Sequence, residues 1–222
     1  MTLNLSPTEE NYIKAVYHLE REGQTVTTNH LSEFLKTAAA SVTDMLKKLK
    51  QKKLVHYRAY YGCNLTDNGR KQALMIIRRH RLWEYFLSKK LGFSWNEVHD
   101  IAEELEHVGS TSLINKLDAF LGYPRFDPHG DPIPDEEGHI IKTQHRLLSE
   151  VPAHTPVEVV QIGDQSATIL EILSEKNIRI GTLIEIRKRF SYDQSLEIRA
   201  GSKHITQISK ELSRNILVKD HE

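Results

Sequence analysis

The sequence predicts a mostly helical α+β protein with three folded parts: a winged helix-turn-helix head, a helical dimerisation domain and a β-rich, barrel-like C-terminal domain. Apolar residues recur at helical spacing through most of the first 122 residues, with two short strand-like runs near residue 60. Six of the seven prolines lie between 124 and 156, and beyond them apolar and polar residues alternate. The domains that we expect are 1–70, 71–122, a proline-rich linker at 123–154, and 155–222.

The head begins with a capping box. Ser6 precedes Pro7, a favoured first helical residue, and Glu9 stands where its side chain can reach back to the Ser6 amide. The predicted elements are a helix from Ser6 to near Gly23, helices near 28–35 and 41–52, and strands at 54–58 and 63–65. Three helices followed by a hairpin are typical of a winged helix-turn-helix, in which the third helix enters the major groove of DNA.

The charge of the predicted third helix favours DNA as its partner. The whole chain has 30 basic and 30 acidic residues, but Lys36 to Arg58 holds seven lysines and arginines against Asp44 alone. Lysines neutralise phosphates, aspartate can accept from a cytosine amino group, and alanine methyls can contact thymine methyls. The candidate DNA-binding residues are Ala38, Ala40, Ser41, Thr43, Asp44, Lys47, Lys48, Gln51 and Arg58. The alternative is that these lysines simply lie on a solvent-exposed helix face and bind no partner.

Histidines and carboxylates recur at helical spacing in the predicted dimerisation domain. The candidates are His80, Glu84, His99, Glu103, Glu106 and His107. The last four fall within about 100° of one another on a helix expected to end near Val108, so we expect them to share one stripe. Imidazole and carboxylate ligands suit Mn²⁺, Fe²⁺, Co²⁺ or Zn²⁺. The alternative is an ion-pair network with the arginines at 78, 79 and 81. The apolar surface of these helices predicts a homodimer interface.

Four segments resemble signatures of the diphtheria-toxin-repressor and manganese-transport-regulator family. They are Thr8–Ile13 (TEENYI), His80–Glu84 (HRLWE), Val98–His107 and Asp131–Pro134 (DPIP). The resemblance covers essentially the whole chain. It implies a homodimeric repressor of metal-uptake genes that binds double-stranded operator DNA when loaded with Mn²⁺ or Fe²⁺. It also implies that the C-terminal domain is SH3-like.

The resemblance implies two metal sites in each subunit. The implied primary ligands are Asn11, Glu103, Glu106 and His107, and the implied second set is His80, Glu84 and His99, with Asp164 from the SH3-like domain. Some manganese-responsive members place a Cys-Pro-His ligand pair in the linker, where this chain has Asp127-Pro128-His129. Asp127 and His129 can therefore supply oxygen and nitrogen at that position. The alternative is that both residues simply form a polar turn of the linker.

Three positions bear on how this chain compares with the family. Two depart from the family pattern, and the third distinguishes iron-type from manganese-type members. Position 11 is usually Met or Asp, whereas Asn11 offers only a neutral amide oxygen. Lys14 replaces a glutamate that completes a paired manganese site in some members. Glu103 occupies a position that is Cys in iron-type members and Glu in manganese-type members, so the resemblance favours Mn²⁺ over Fe²⁺.

Several classes of protein fit the sequence less well. Cys63 is the only cysteine, so no internal disulfide forms and a reducing, cytoplasmic location is expected. No run of about 18 apolar residues is present, which argues against a membrane partner. A metallohydrolase with Glu103 or Glu106 as general base is disfavoured, because the HExxH, nucleophile-elbow and phosphate-loop motifs are absent. We expect no enzyme activity. A metal-indifferent winged-helix regulator remains the other alternative.

Overall fold

The computed structural model describes residues 5–21, 23, 25–108, 110–202 and 204–221. The chain divides into two compact units, which are described separately. The first unit comprises Met1–His80, Glu104–Lys116 and Pro134–Ile140, and the second comprises Arg81–Glu103, Leu117–Ile133 and Ile141–Glu222. None of the helices in the described part of the chain combines the length and apolar character that a membrane span requires.

The first unit begins with the predicted winged helix-turn-helix. Its elements are α1 (Pro7–Arg21), α2 (Thr28–Phe34), α3 (Ala39–Gln51), β1 (Val55–Arg58) and β2 (Gly62–Leu65). The two strands pair antiparallel, with Val55 opposite Leu65 and Arg58 opposite Gly62. The predicted fold class is confirmed in this part of the chain. Helix α3 begins two residues earlier than expected, because the alanines before Ser41 are strong helix formers.

One apolar core holds the three helices and the hairpin together. Ile13 and Val16 of α1, Leu31 of α2, and Leu46 and Leu49 of α3 have no exposed surface. Burying an aliphatic side chain of this size contributes ~1.5–3 kcal/mol, before the entropy of ordering it is subtracted. Because α3 is anchored through this one face, its opposite face is left open to a partner.

Local hydrogen bonds fix the start of α1. The Glu9 amide donates to Ser6 Oγ at 3.3 Å, and the Ser6 amide donates to Glu9 Oε2 at 2.8 Å. This reciprocal pair is the predicted capping box, and it satisfies two amides that the first helical turn leaves without helical acceptors. The cap also fixes the direction in which the Glu9 carboxylate points.

Three further helices follow the hairpin. They are α4 (Asp67–Leu91), α5 (Val98–Leu105) and α6 (Thr111–Leu121). Gly92 ends α4 with a φ of 75°, a conformation that favours glycine. Before α5, the Ser94 amide donates to Glu97 Oε2 at 3.0 Å.

The predicted metal-ligand stripe does not form on one helix, because α5 ends at Leu105. Glu106 and His107 lie in the turn that follows. The Val108 amide donates to the Leu105 carbonyl at 2.9 Å, a three-residue turn that closes the helix, and the Glu106 carbonyl accepts from Arg79 Nε at 2.6 Å. Their environments also differ: the side chain of Glu103 is 53% exposed and that of Glu106 is fully buried.

The second unit ends in the β-rich domain. Its described elements are β3 (Arg146–Leu147), a short 3₁₀ turn (Leu148–Glu150), β4 (Pro156–Ile162), α7 (Ala167–Glu175), β5 (Leu183–Arg189), β6 (Leu196–Ala200), β7 (His204–Ile208), α8 (Lys210–Arg214) and β8 (Ile216–Asp220). The strands form one antiparallel sheet in the order β3-β8-β4-β5-β6-β7. The predicted β-rich, SH3-like C-terminal domain is confirmed.

A register shift in β4 shapes the core of this sheet. Val157, Val159 and Ile162 are all fully buried, although strict alternation would bury residue 161 instead of 162. The pairing of β4 with β8 slips between Val159 and Gln161, which lets Ile162 face inward. The carbonyl of His129 then accepts from the Ile162 amide at 3.0 Å, so the end of β4 holds the linker residue His129 in position.

Candidate metal centre and DNA-binding face

The predicted DNA-binding residues lie on α3, at its N-cap or on β1. Thr43 is half-buried and the remainder are exposed; these are Ala38, Ala40, Ser41, Asp44, Lys47, Lys48, Gln51 and Arg58. Thr43 Oγ1 donates to the Ala39 carbonyl at 3.0 Å, so its hydroxyl already has a partner within the helix. Exposed short and cationic side chains along one helix face match what a major groove accommodates.

The hairpin presents a cation next to exposed aromatic rings. The guanidinium carbon of Arg58 lies 4.0 Å from the centroid of the Tyr61 ring, and Tyr60 at the tip is fully exposed. Stacking on an aromatic ring limits the orientations of the guanidinium, so less entropy is lost when Arg58 contacts a phosphate. This hairpin has the position and chemistry of a wing.

Glu9 links α1 to the recognition helix α3. Its side chain is 2% exposed, and Oε1 lies 2.7 Å from Lys52 Nζ and 3.2 Å from Lys48 Nζ. Burial alone would raise the pKa of Glu9, but hydrogen bonds from Lys52, the Ser6 amide and Lys48 outweigh it and lower the pKa to about 2. Glu9 is therefore a charged, buried clamp between the two helices.

A cluster of charged side chains surrounds Glu106 in the first unit; we call it the Glu106 cluster. Its members are Glu10, Lys14, Arg79, His80, Glu106 and His107. The Glu106 carboxylate contacts His80 Nδ1 at 2.7 Å through Oε2 and Lys14 Nζ at 2.6 Å through Oε1. Burial would raise the pKa of Glu106, but the hydrogen bond with His80 and the charge of Lys14 outweigh it and lower the pKa. The carboxylate is held in its anionic, metal-binding form.

Glu10 joins this cluster, although sequence reasoning did not select it. Its Oε2 lies 2.6 Å from His107 Nδ1 and its Oε1 accepts from Arg79 at 2.6 Å. The ion-pair network considered as an alternative is therefore present, and it includes the candidate ligand His107. Asn11, which follows Glu10 on α1, is exposed. The available signal was that Glu10 and Lys14 are four residues apart and so share one face of α1.

A second cluster lies in the second unit and comprises Glu84, Asp127 and His129; we call it the Glu84 cluster. All three are buried, and one potential ligand atom from each lies within 4.8 Å of the others. His99 Nδ1 approaches Glu84 Oε1 at 3.2 Å, and its Nε2 lies 3.9 Å from Glu103. The structure thus places the linker residues Asp127 and His129 next to Glu84 of α4, and His99 of α5 also contacts Glu84. Their role as metal ligands stays a prediction.

The linker turn orients both of its ligand atoms. Asp127 Oδ1 accepts from the amides of His129 at 2.8 Å and Asp131 at 3.0 Å. His129 Nε2 lies 2.7 Å from the Trp95 carbonyl, and the two rings stack with centroids 6.0 Å apart. The residue that follows His129 must be a glycine, since a Cβ at Gly130 would come within 1.9 Å of the Val160 carbonyl oxygen. Of the remaining potential ligand atoms, His129 Nδ1 lies 3.8 Å from Glu84 Oε2 and Asp127 Oδ2 lies 3.5 Å from Arg81 Nε.

These buried atoms fit a divalent cation. Asp127 Oδ2 and His129 Nδ1 have no hydrogen-bond partner within the described residues, although Arg81 Nε approaches Oδ2 at 3.5 Å. Burial, followed by the nearby charges of Asp131 and Glu84, raises the pKa of Asp127 to about 8. Burial lowers the pKa of His129, but the Glu84 carboxylate outweighs it and raises the pKa. A cation would compensate the crowded carboxylates and satisfy both atoms.

Asp164 stands apart from these clusters. It is exposed, and its Oδ1 accepts from the Ser166 amide at 2.8 Å. Among the described residues, no group of three or more potential metal ligands includes Asp164. Its predicted contribution to a metal site remains a prediction.

Three family models together match most of the chain. Residues 4–63 match the iron dependent repressor N-terminal DNA binding domain, residues 66–135 match its metal binding and dimerisation domain, and residues 146–220 match the FeoA domain. The chain is 30% identical over 164 residues to the iron-dependent repressor IdeR of Mycobacterium leprae, covering 71% of each protein. The chain belongs to the diphtheria toxin repressor family.

Two further comparisons extend over different parts of this repressor. A solved structure described as a manganese-dependent transcriptional repressor in complex with manganese covers 96% of this chain and 100% of its own, with 30% identity and a TM-score of 0.86. A 71-residue stretch is 46% identical to part of a probable metal transport system membrane protein of Chlamydia trachomatis, covering 32% of this chain and 16% of that protein.

Membership of this family decides among the alternatives. The chain is a metal-dependent transcriptional repressor and not an enzyme, so the metallohydrolase and the metal-indifferent regulator are excluded. Its DNA-binding and dimerisation domains imply operator DNA and a second copy of the chain as partners. The metal-binding domain spans most of the candidate ligands described above.

Proposed function

We propose that this repressor uses Mn²⁺ as its physiological metal and that the loaded homodimer represses genes for metal uptake. Fe²⁺ is the competing candidate. The observation that carries the proposal is the Glu84 cluster, in which oxygen and nitrogen ligand atoms converge in a buried site with no sulfur among them. The choice of metal rests on this chemistry together with the glutamate at position 103.

The donor set favours a hard or borderline cation. Carboxylate and imidazole ligands suit Mn²⁺ and Fe²⁺, whereas thiolates favour softer ions. The only cysteine, Cys63, is buried in the first unit, and burial together with the charge of Glu20 raises its pKa to about 12. Cys63 therefore stays a protonated thiol at neutral pH and offers no competing ligand.

We assign two metal sites to each subunit. The proposed ligands of the first are Asn11, Glu103, Glu106 and His107, and those of the second are His80, Glu84, His99, Asp127, His129 and Asp164. The anionic state of Glu106 and the orientation of Asp127 and His129 support these roles. Glu10 becomes an additional candidate for the first site, since it can supply the carboxylate that Asn11 lacks.

A bound cation would act as a tether within the first unit. Glu106 and His107 follow α5, whereas Glu10 and Asn11 belong to α1, which packs against the recognition helix. Joining these segments would favour one arrangement of the head. The two DNA-binding heads of a dimer must contact half-sites that lie about one DNA turn, or a multiple of it, apart. A dimer with one fixed head orientation therefore binds operator DNA more tightly than a dimer whose heads populate many orientations.

The free energy required is within reach of such a site. Shifting a repressor from 1:99 to 99:1 in favour of the DNA-binding state needs about 5.5 kcal/mol of differential metal affinity.

The helical dimerisation region offers an apolar surface through which two chains, each with one DNA-binding head, can associate. Four large apolar side chains are exposed in the single chain: Val108, Leu113, Phe120 and Tyr123. Burying such side chains against a second copy would stabilise the homodimer.

Control of metal-uptake genes is supported by the comparison with the Chlamydia trachomatis protein. Part of a probable metal transport system membrane protein resembles 71 residues of this chain. A metal-transport protein that contains a segment similar to this repressor links metal transport with metal-dependent repressors. We therefore propose promoters of metal-uptake genes as the sites of repression.

The test is an anaerobic DNA-binding titration with Mn²⁺, Fe²⁺, Co²⁺ and Zn²⁺. The probe is a fluorescent duplex selected from a random-sequence pool by the manganese-loaded protein, with a scrambled duplex as the control. Mn²⁺ should raise affinity for the selected duplex at least tenfold at free concentrations near its protein dissociation constant. If only Fe²⁺ does so, the metal assignment is wrong, and if none does, metal-gated DNA binding is excluded.

A further inference from the structure

Two consecutive carboxylates at the start of α1 have different partners. Glu9 contacts Lys48 and Lys52 of the recognition helix. Glu10, the next residue, contacts His107 and Arg79 in the Glu106 cluster. One turn of helix therefore contacts both the segment proposed to bind metal and the segment proposed to read DNA.

The contact on the α3 side has well-defined geometry. Both oxygens of the buried Glu9 carboxylate are engaged: Oε2 accepts from the Ser6 amide at 2.8 Å and Lys52 Nζ at 2.9 Å, and Oε1 lies 3.2 Å from Lys48 Nζ. A buried carboxylate that loses its cationic partners pays a large desolvation cost. The lysines are therefore expected to follow Glu9 when α1 moves, whereas aliphatic core contacts are non-directional and tolerate small shifts.

The contact on the cluster side involves candidate ligands. His107 Nδ1 lies 2.6 Å from Glu10 Oε2, and Lys14 of the same helix lies 2.6 Å from Glu106 Oε1. A cation entering among these groups must replace or rearrange at least one of these contacts, because each already occupies a ligand atom. Such a rearrangement acts on α1 at Glu10 and Lys14, next to Glu9.

We propose that Glu9 is a positioning residue that transmits metal occupancy of the Glu106 cluster to the orientation of α3 through Lys48 and Lys52. Glu9 contacts neither metal nor DNA in this role. The inference rests on the proposed function, because it requires that metal binding at this cluster promotes DNA binding. It adds a coupling residue to the ligands and the DNA contacts.

The test variant is Glu9→Gln. Glutamine can still complete the capping box with Ser6, so the helix start is retained while the charge that holds Lys48 and Lys52 is removed. Affinity for the selected duplex is measured with and without saturating Mn²⁺, and Mn²⁺ affinity is measured with and without the duplex. The two coupling factors must agree for each protein, because linkage is reciprocal.

Glu9→Gln should reduce the coupling factor at least fivefold, while Mn²⁺ affinity of the protein alone changes less than twofold. Lys52→Gln should give the same loss, and the double variant should lose no more than either single variant. Lys50→Gln is the matched control, because it removes one positive charge from the exposed surface of the same helix. It should lower affinity for DNA with and without metal alike, and so retain the wild-type coupling factor.

Two results would overturn the inference. One is a wild-type coupling factor in both Glu9→Gln and Lys52→Gln. The other is an equal fall in DNA affinity with and without metal, since that result would assign Glu9 a structural role only. If the wild-type protein itself shows no metal stimulation, the proposed function fails and this inference fails with it. Lys52→Gln keeps the test decisive if Glu9→Gln does not fold, which circular dichroism establishes.

Discussion

Lys14 Nζ lies 2.6 Å from Glu106 Oε1, so a cation from the protein itself contacts the most buried carboxylate of the Glu106 cluster. The side chain of Lys14 is 14% exposed and that of Glu106 is fully buried. An ammonium at this distance stabilises the carboxylate in the metal-free protein. It also occupies a ligand oxygen and repels a second positive charge, so it competes with a divalent ion.

Replacing Lys14 by methionine should therefore have opposite effects on the metal-free and the metal-loaded protein. We expect the metal-free protein to lose about 1–3 kcal/mol, since a buried carboxylate loses one of its partners. Mn²⁺ affinity should rise by about tenfold, or about 1.4 kcal/mol, because the competing charge is gone. Thermal unfolding with and without Mn²⁺, together with calorimetric titration, measures both quantities. A fall in both stability and Mn²⁺ affinity would contradict the competition.

Asp127→Asn tests the Glu84 cluster by itself. The substitution keeps the shape of the side chain and the turn that holds His129, but it replaces a carboxyl group that can give up its proton to a metal ion by an amide that cannot ionise. Bound Mn²⁺ should fall from two equivalents per subunit to one, as counted by electron paramagnetic resonance of the free ion. Asp135→Asn, an exposed linker substitution, is the control and should retain both equivalents. Two equivalents in Asp127→Asn would remove Asp127 from the ligand set.

The acid stability of the metal-free protein should depend on Glu9. The folded-state pKa of Glu9 is lowered to about 2, whereas an unfolded glutamate has a pKa of about 4.3. The stabilisation is therefore fully present above pH ~4.3 and is lost as the pH falls towards ~2. We expect Glu9→Gln to abolish about 2 kcal/mol of the difference in unfolding free energy between pH 6 and pH 2.5. Urea titrations at both pH values check this. If the difference in unfolding free energy between the two pH values is the same in Glu9→Gln and in the wild-type protein, the ion pairs of Glu9 do not stabilise the fold.

The thiol of Cys63 should be unreactive in the folded protein. Burial and the charge of Glu20 raise its pKa to about 12, so the thiolate is scarce at neutral pH. Alkylation by iodoacetamide at pH 8 should proceed at least a hundredfold more slowly in the native state than in 6 M guanidinium chloride. Comparable rates would show that the head opens readily around β2.

The sequence predicted the elements that depend on local periodicity. Helices α1 to α3 and the hairpin follow from apolar residues at helical or alternating spacing, and the Ser6 cap follows from a local motif. The candidate ligands Glu106 and His107 were also identified from residue type and spacing. For the helices, the hairpin and the cap, the decisive interactions lie within a few residues of each other in the chain.

The remaining features depend on contacts between distant segments. Helical periodicity extends α5 to Val108, whereas α5 ends at Leu105 and the Glu106 carbonyl beyond it accepts from the distant Arg79. Glu10 was missed because its partner His107 lies 97 positions away. The sequence motif predicts only a capping role for Glu9, although its carboxylate also accepts a hydrogen bond from Lys52, 43 positions away in the chain. Long-range electrostatic contacts of this kind require the folded structure.

The most direct measurement is Mn²⁺-dependent binding of His107→Ala to the selected duplex, beside the wild-type protein. A divalent ion at the Glu106 cluster is proposed to join α1 to the segment that follows α5, and His107, its proposed imidazole ligand, contacts Glu10 of α1. We expect His107→Ala to fold, to bind Mn²⁺ more weakly than the wild-type protein and to show no Mn²⁺-stimulated DNA binding. Stimulation equal to that of the wild-type protein would show that a metal ion bound by His107 does not control DNA binding.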